Sequence, residues 1–136
     1  MPSRTFNFVY ELNANFQRVL YLKAGPDAMI AGFTGLMQIR PSADSETVIT
    51  ELTTSDNSMQ LINGAVVLNL PAATVIDTSA CTRSGIVYEL APDGELPFKG
   101  QGPIAVYDVQ VISPAGVVTR ILSGDIVFAQ SVSRGD

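Results

Sequence analysis

The sequence predicts an all-β domain: an antiparallel β-sandwich (Ig-like) of about 8–9 short strands with one short helix near residues 71–77. Three observations carry this expectation. Apolar residues recur mostly at every second position, in short runs, which is the spacing of a strand with one face in a core. Turn residues break those runs often, Asn63-Gly64 and Ser113-Pro114-Ala115-Gly116 among them. Only one stretch, beginning at Pro71, reads as a helix.

The elements follow in order. Phe6, Phe8, Tyr10 and Leu12 alternate with Asn7, Val9 and Glu11, and Phe16, Arg18, Leu20 and Leu22 alternate with Gln17, Val19 and Tyr21. With Asn13-Ala14-Asn15 as a turn between them, the two strands are expected to form a hairpin. Ala24-Gly25-Pro26-Asp27 breaks the pattern, and residues 28–31 read as a helical turn or as an approach to the next strand. Residues 32–40 form a third strand, ended by Pro41-Ser42, and residues 48–52, rich in β-branched side chains, a fourth.

Residues 59–62 and 65–70 flank Asn63-Gly64, the strongest hairpin signal here, because a type I′ turn needs positive φ at both central positions. Pro71 suits the first turn of a helix over residues 71–77, where its missing N–H would have no partner. Residues 86–90 are a further strand, and residues 91–103, with three prolines and three glycines, an irregular loop. A three-stranded meander ends the chain: residues 107–111, then residues 117–122 after a type I turn with Pro114 second and Gly116 fourth, then a strand after Ser123-Gly124 that ends at Val132-Ser133-Arg134.

Composition narrows the function classes. At 136 residues the chain is one domain, 1–136, able to bury roughly two-thirds of its unfolded surface. No repeat, low-complexity tract or linker divides it. Charged residues make up 15%, against about 25% in ordinary soluble domains, and mean hydropathy is +0.26. So few charges cannot coat a monomer generously, which suggests a surface partly covered by other subunits; the alternative is a monomer faced with Ser, Thr, Asn and Gln. The net charge of −5 and eight scattered Lys and Arg argue against nucleic acid and against a basic membrane-binding surface. The longest uncharged stretch, residues 57–76, is broken by Asn63-Gly64, Asn69 and Pro71 and cannot span a membrane. No apolar run follows Arg4, so no signal peptide is expected.

Reaction chemistry is not legible. There is no histidine, which removes Ser-His-Asp and Cys-His catalysis and the usual zinc sites. Cys81 is alone, so no internal disulfide or thiolate cluster can form, and it reads as a small apolar residue. Asp56-Asn57-Ser58 and Asp93-Gly94-Glu95 lack the ligand spacing of a calcium loop. Gly100-Gln101-Gly102-Pro103 is followed by no helix that could cradle a phosphate. Arg134-Gly135-Asp136 spells an integrin tripeptide, read as chance. The expectation is therefore no catalytic residue, no cofactor and no metal. The aromatic residues Phe6, Phe8, Tyr10, Phe16 and Tyr21 concentrate in the first two strands. They read either as core or as an inter-subunit contact, in which an edge strand augments a neighbour's sheet or fills a groove on it.

The stretches Phe33-Thr34-Gly35-Leu36-Met37-Gln38-Ile39-Arg40-Pro41-Ser42, Val48-Ile49-Thr50-Glu51-Leu52-Thr53-Thr54 and residues 107–134 resemble a recurrent bacteriophage module. It occurs as small virion proteins and as the N-terminal domain of baseplate upper proteins and receptor-binding fibres. The resemblance spans roughly residues 30–70 and 104–134 and rests on structural motifs. It implies a non-enzymatic structural protein of the tail or baseplate, assembled in the host cytoplasm into the virion. There it would form a symmetric homo-oligomeric array with other virion proteins and join tail or baseplate to fibres. A head decoration or head–tail joining protein, or a carbohydrate-binding module that takes a glycan at the virion surface, are the alternatives. Within this likeness Tyr107 is expected to bury its ring and pair its hydroxyl, Gly124 to break the strand run at a corner, and Arg40 and Arg120 to anchor loop carbonyls or carboxylates. Residues 79–103 stand as an insertion, and the aromatic opening strands depart from the family's more polar start.

Overall fold

The computed structural model describes residues 4–22, 29–90, 98–129 and 132–134. The regular structure among them is all β, in two sheets. The strands are β1 (Arg4–Thr5), β2 (Phe8–Glu11), β3 (Phe16–Tyr21), β4 (Thr34–Arg40), β5 (Thr50–Thr53), β6 (Met59–Ile62), β7 (Ala65–Leu70), β8 (Arg83–Glu89), β9 (Phe98–Ile112), β10 (Val118–Ala129) and β11 (Val132–Arg134).

The larger sheet is organised around β9. Its C-terminal half lies between β10 and β4, with β5 beyond β4. Its N-terminal half lies between β8 and β11. β1 and β2 run parallel to β10 along its outer side, so the sheet is mixed. The smaller sheet is antiparallel, in the order β3-β7-β6.

The main core lies between the sheets, and period-two alternation builds it. Ala105, Tyr107, Val109 and Val111 of β9 are buried, with Met37 and Ile39 of β4, Ile126 and Phe128 of β10, and Phe8 and Tyr10 of β2. Phe16, Met59, Val66, Leu68 and Leu70 meet them from the small sheet. Phe16 is the aromatic hub: Tyr10 stacks on it at 4.9 Å between centroids, and Phe8 meets it edge-on at 5.6 Å. Such pairs add about 0.5–1.5 kcal/mol beyond area burial.

A second, smaller core sits on the opposite face of the large sheet. Val9, Val87, Val127 and Ala129 are buried there, with Ile104 against them. Gly100 opens the space, since a Cβ on it would come within 2.5 Å of Val9 Cγ1. β8 and the first half of β9 thus close over the back of β2 and β10, which carries Glu89 to the outer edge of β2.

Several expectations need correction. The first two strands are not a hairpin: β2 pairs with β10 in one sheet and β3 with β7 in the other. Asn13, at φ 65°, turns the chain across the sandwich instead of back along it. The apolar sides of the two strands therefore face each other through the core rather than lying side by side.

The helix over residues 71–77 is also absent. A single turn forms, in which the Thr74 N–H donates to the Pro71 carbonyl at 3.0 Å. β-Branched Thr74, Val75 and Ile76 are poor helix formers, and Val75 is 85% exposed, so no packed face holds a helix here. The Asn63-Gly64 hairpin forms, but only Gly64 takes positive φ, so the turn is not type I′. Asn63 instead accepts the Ala31 N–H through its side-chain oxygen.

Residues 98–103 belong to β9 rather than to a loop, and the rest of the expected loop, residues 91–97, lies outside the described residues. Gly124 does not end a strand, because β10 runs through it; the irregularity is a register shift between Arg120 and Leu122. The Pro114-Ala115-Gly116 turn forms as expected, with Gly116 at φ 89° and its N–H donating to Ser113 O. Residues 135 and 136 of the Arg134-Gly135-Asp136 tripeptide lie outside the described residues.

Candidate functional site

The site begins with one misplaced charge. On β3, Phe16, Arg18 and Leu20 occupy the inward phase, so a guanidinium points between the sheets where its neighbours are apolar. A charge there needs a partner, and Glu89 at the end of β8 supplies it. Arg18 Nε donates to Glu89 Oε2 at 2.6 Å and Nη2 to Oε1 at 3.0 Å, the bidentate arrangement that suits guanidinium and carboxylate. The side chains are 27% and 5% exposed. Arg18 also lies over the Phe16 ring, 4.8 Å from its centroid.

The pair also satisfies backbone. Glu89 Oε1 accepts the Val9 N–H at 2.8 Å, and Arg18 Nη2 donates to the Val9 carbonyl at 2.9 Å. Both Val9 groups point away from β10, so the ion pair blocks the outer edge of β2 as a neighbouring strand would. Arg18 Nη1 donates to Gln17 O on the facing edge of β3. One ion pair therefore bridges the flank where the two sheets separate.

A groove of about 1000 Å³ runs along that flank. β3 forms one wall, and Thr5, Phe6 and Leu122 lie on the other; Leu90 and Phe98 also border it, and the Arg18–Glu89 pair crosses it. Its lining is mostly apolar; of its three charged residues, Arg18 and Glu89 are occupied with each other and Glu11 lies exposed beside them.

The aromatic candidates divide. Phe8, Tyr10 and Phe16 are buried in the chain's own core, and Phe6 is half-buried against it. Tyr21 differs, 74% exposed on the outer face of β3 at the groove. The alternation of β3 already sets Tyr21 in the phase opposite Phe16, and the burial follows it.

Tyr107 buries its ring, and its hydroxyl donates to Phe6 O. Burial, with the Glu89 and Asp125 charges adding to it, pushes that hydroxyl well above the ordinary tyrosine range; burial also raises Tyr10, against a hydrogen bond from Thr74. A raised folded-state value stabilises the fold fully below pH 10, where an unfolded tyrosine is neutral, and the stability is lost as pH rises above it. Tyr107→Phe is expected to cost about 1–2 kcal/mol at neutral pH in urea titrations, by leaving Phe6 O without its donor. Above pH 10 the variant should lose stability less steeply than the parent.

The remaining candidates are structural. Arg40 donates to Ser45 O at 3.1 Å, and Arg120 lies 3.4 Å from Asp108. Asp56 accepts the Ser58 N–H and hydroxyl, which hold its carboxyl below the usual range, in an ordinary turn. Cys81 is half-buried beside the core, and burial raises its thiol. No cluster of three or more potential metal ligands occurs among the described residues, and no helix among them is long and apolar enough to cross a membrane. No family model, curated protein or solved structure matches the chain.

Proposed function

We propose that this chain is a non-enzymatic structural protein of a bacteriophage virion, with an Ig-like sandwich that assembles in a symmetric array in the tail or baseplate and joins it to fibres. The phage assignment rests on the resemblance of residues 30–70 and 104–134 to the virion module. The observation that carries an assembly role is the flank between the sheets, where a groove of about 1000 Å³ runs along β3 and no second strand among the described residues pairs with β3 besides β7. Strand edges recruit other chains through backbone hydrogen bonds, and apolar grooves take their side chains. Arg18 and Glu89, which cross this groove, are held in a bidentate pair, which favours a structural over a proton-transfer role for them. Its partners are other virion proteins and further copies of itself, without cofactor, nucleic acid or membrane.

The test is location. Phage particles encoding the chain, separated into heads and tails and analysed by quantitative mass spectrometry, should contain it in the tail fraction at a fixed copy number. Recovery in heads would move it to a decoration or joining role, and absence from particles would end the virion reading.

A further inference from the structure

We infer that Asn63 is a site of spontaneous modification: in the folded chain its side-chain amide closes onto the Gly64 backbone nitrogen, expels ammonia and reopens as aspartate or isoaspartate, with the Ala31 N–H assisting the closure. The inference does not depend on the virion reading.

Asn63 is the only asparagine in the sequence followed by glycine. The pair closes the β6–β7 hairpin between Ile62 and Ala65, and Asn63 is exposed there. Glycine leaves its own nitrogen unshielded, and nothing lies within 4 Å of the place a Cβ on Gly64 would take. That nitrogen is also uncommitted. Gly64 O accepts the Leu22 N–H at 2.8 Å, but no acceptor among the described residues meets the Gly64 N–H. An amide held in a ladder would first have to give up its hydrogen bond, and this one does not. Asn57 is the contrast, because the nitrogen that follows it, on Ser58, donates to Asp56 Oδ1 at 2.9 Å.

The electrophile is prepared from the other side. Asn63 Oδ1 accepts the Ala31 N–H at 2.8 Å. This donor draws electron density from Cγ, and it already stands where the oxygen turns negative as the ring closes. It holds the oxygen only: Nδ2, the leaving group, has no partner among the described residues.

The reaction needs only water. Hydroxide takes the Gly64 N–H proton, and the nitrogen forms a bond to Asn63 Cγ. The Cγ–Nδ2 bond then breaks, and Nδ2 leaves as ammonia with a proton from water. Water opens the cyclic imide, at Cγ to give isoaspartate's isomer aspartate's main-chain-intact product or at the main-chain carbonyl carbon in the other direction, without any change of oxidation state. Where the side-chain carbonyl is opened, the product is aspartate; where the main-chain carbonyl is opened, it is isoaspartate. An aspartate oxygen keeps the Ala31 bond and strengthens it by charge. Isoaspartate adds one carbon to the main chain inside a two-residue turn, so Ile62 and Ala65 cannot keep their pairing.

The full chain, kept folded in warm, mildly alkaline buffer and followed by residue-resolved mass spectrometry, tests this, since exchange of NH2 for OH raises the mass. Asn63 is expected to convert about 10-fold or more faster than Asn57. Ala31→Pro removes the assisting donor. It suits its place, because Ala31 is second in a turn closed by the Phe33 N–H to Ile30 O, with Gly32 third at φ 89°, and proline is favoured there. The variant should slow conversion of Asn63 by about 2–10-fold while circular dichroism shows the fold retained. Equal rates at Asn63 and Asn57 in the parent overturn the site, whatever the variant does. A rate at Asn63 that Ala31→Pro leaves unchanged or raises overturns the assisted closure.

Discussion

Glu89→Ala is expected to lower stability by about 2–4 kcal/mol, because it leaves Arg18 between the sheets without its counter-ion and the Val9 N–H without its acceptor. Arg18 keeps 27% exposure, so water relieves part of the cost, which places the effect toward the low end for a broken buried pair. Arg18→Met alone should cost a comparable amount, through the carboxylate it leaves behind. The double variant Arg18→Met, Glu89→Met should be less destabilised than the two singles added together, since an apolar pair of similar volume suits a flank lined by Phe16 and Leu20. Urea titration of all four proteins closes the cycle. Additive losses would mean that the ion pair carries no coupling and that the flank is held by other contacts.

This pair marks how much of the molecule was legible in its sequence. Period-two alternation gave the all-β class and the strands of the small sheet, because the pattern and the burial share one cause. It could not give pairing. Alternation in β2 and β3 is the same whether they form a hairpin or face each other across a core, and only the turn at Asn13 decides. Residues 98–103 read as a loop because proline and glycine are ordinarily strand breakers. They lie in β9 because Gly100 and Gly102 stand where no side chain fits: a Cβ on Gly102 would fall 2.1 Å from Phe128 O. For the site, the available signal was Arg18 sitting in phase with Phe16, Leu20 and Leu22. An inward charge on an apolar strand face requires a distant partner, but nothing in the spacing of 71 residues to Glu89 names which carboxylate it is.

Gly124→Ala is expected to cost about 2–4 kcal/mol, a drop in melting temperature of roughly 3–5 °C per kcal/mol for a domain of this size. The reason is space. A Cβ on Gly124 would lie 2.2 Å from Phe6 O and 2.9 Å from Phe6 C, and both are backbone atoms that no rotamer change can clear. The link between β1 and β2 must move, and three bonds depend on its place: the Phe6 N–H to Ser123 O, the Asp125 N–H to Asn7 Oδ1, and the Tyr107 hydroxyl to Phe6 O. Gly116→Ala provides the contrast. Nothing lies within 4 Å of a Cβ there, but φ is 89°, so the cost is conformational, about 1–2 kcal/mol. The two variants separate further in the background of Tyr107→Phe. Part of the Gly124→Ala loss should vanish, because the bond to Phe6 O is already gone, while the Gly116→Ala loss should add in full. If both substitutions are equally costly and both additive with Tyr107→Phe, then Gly124 serves conformation rather than close approach, and β1 is not anchored through Phe6.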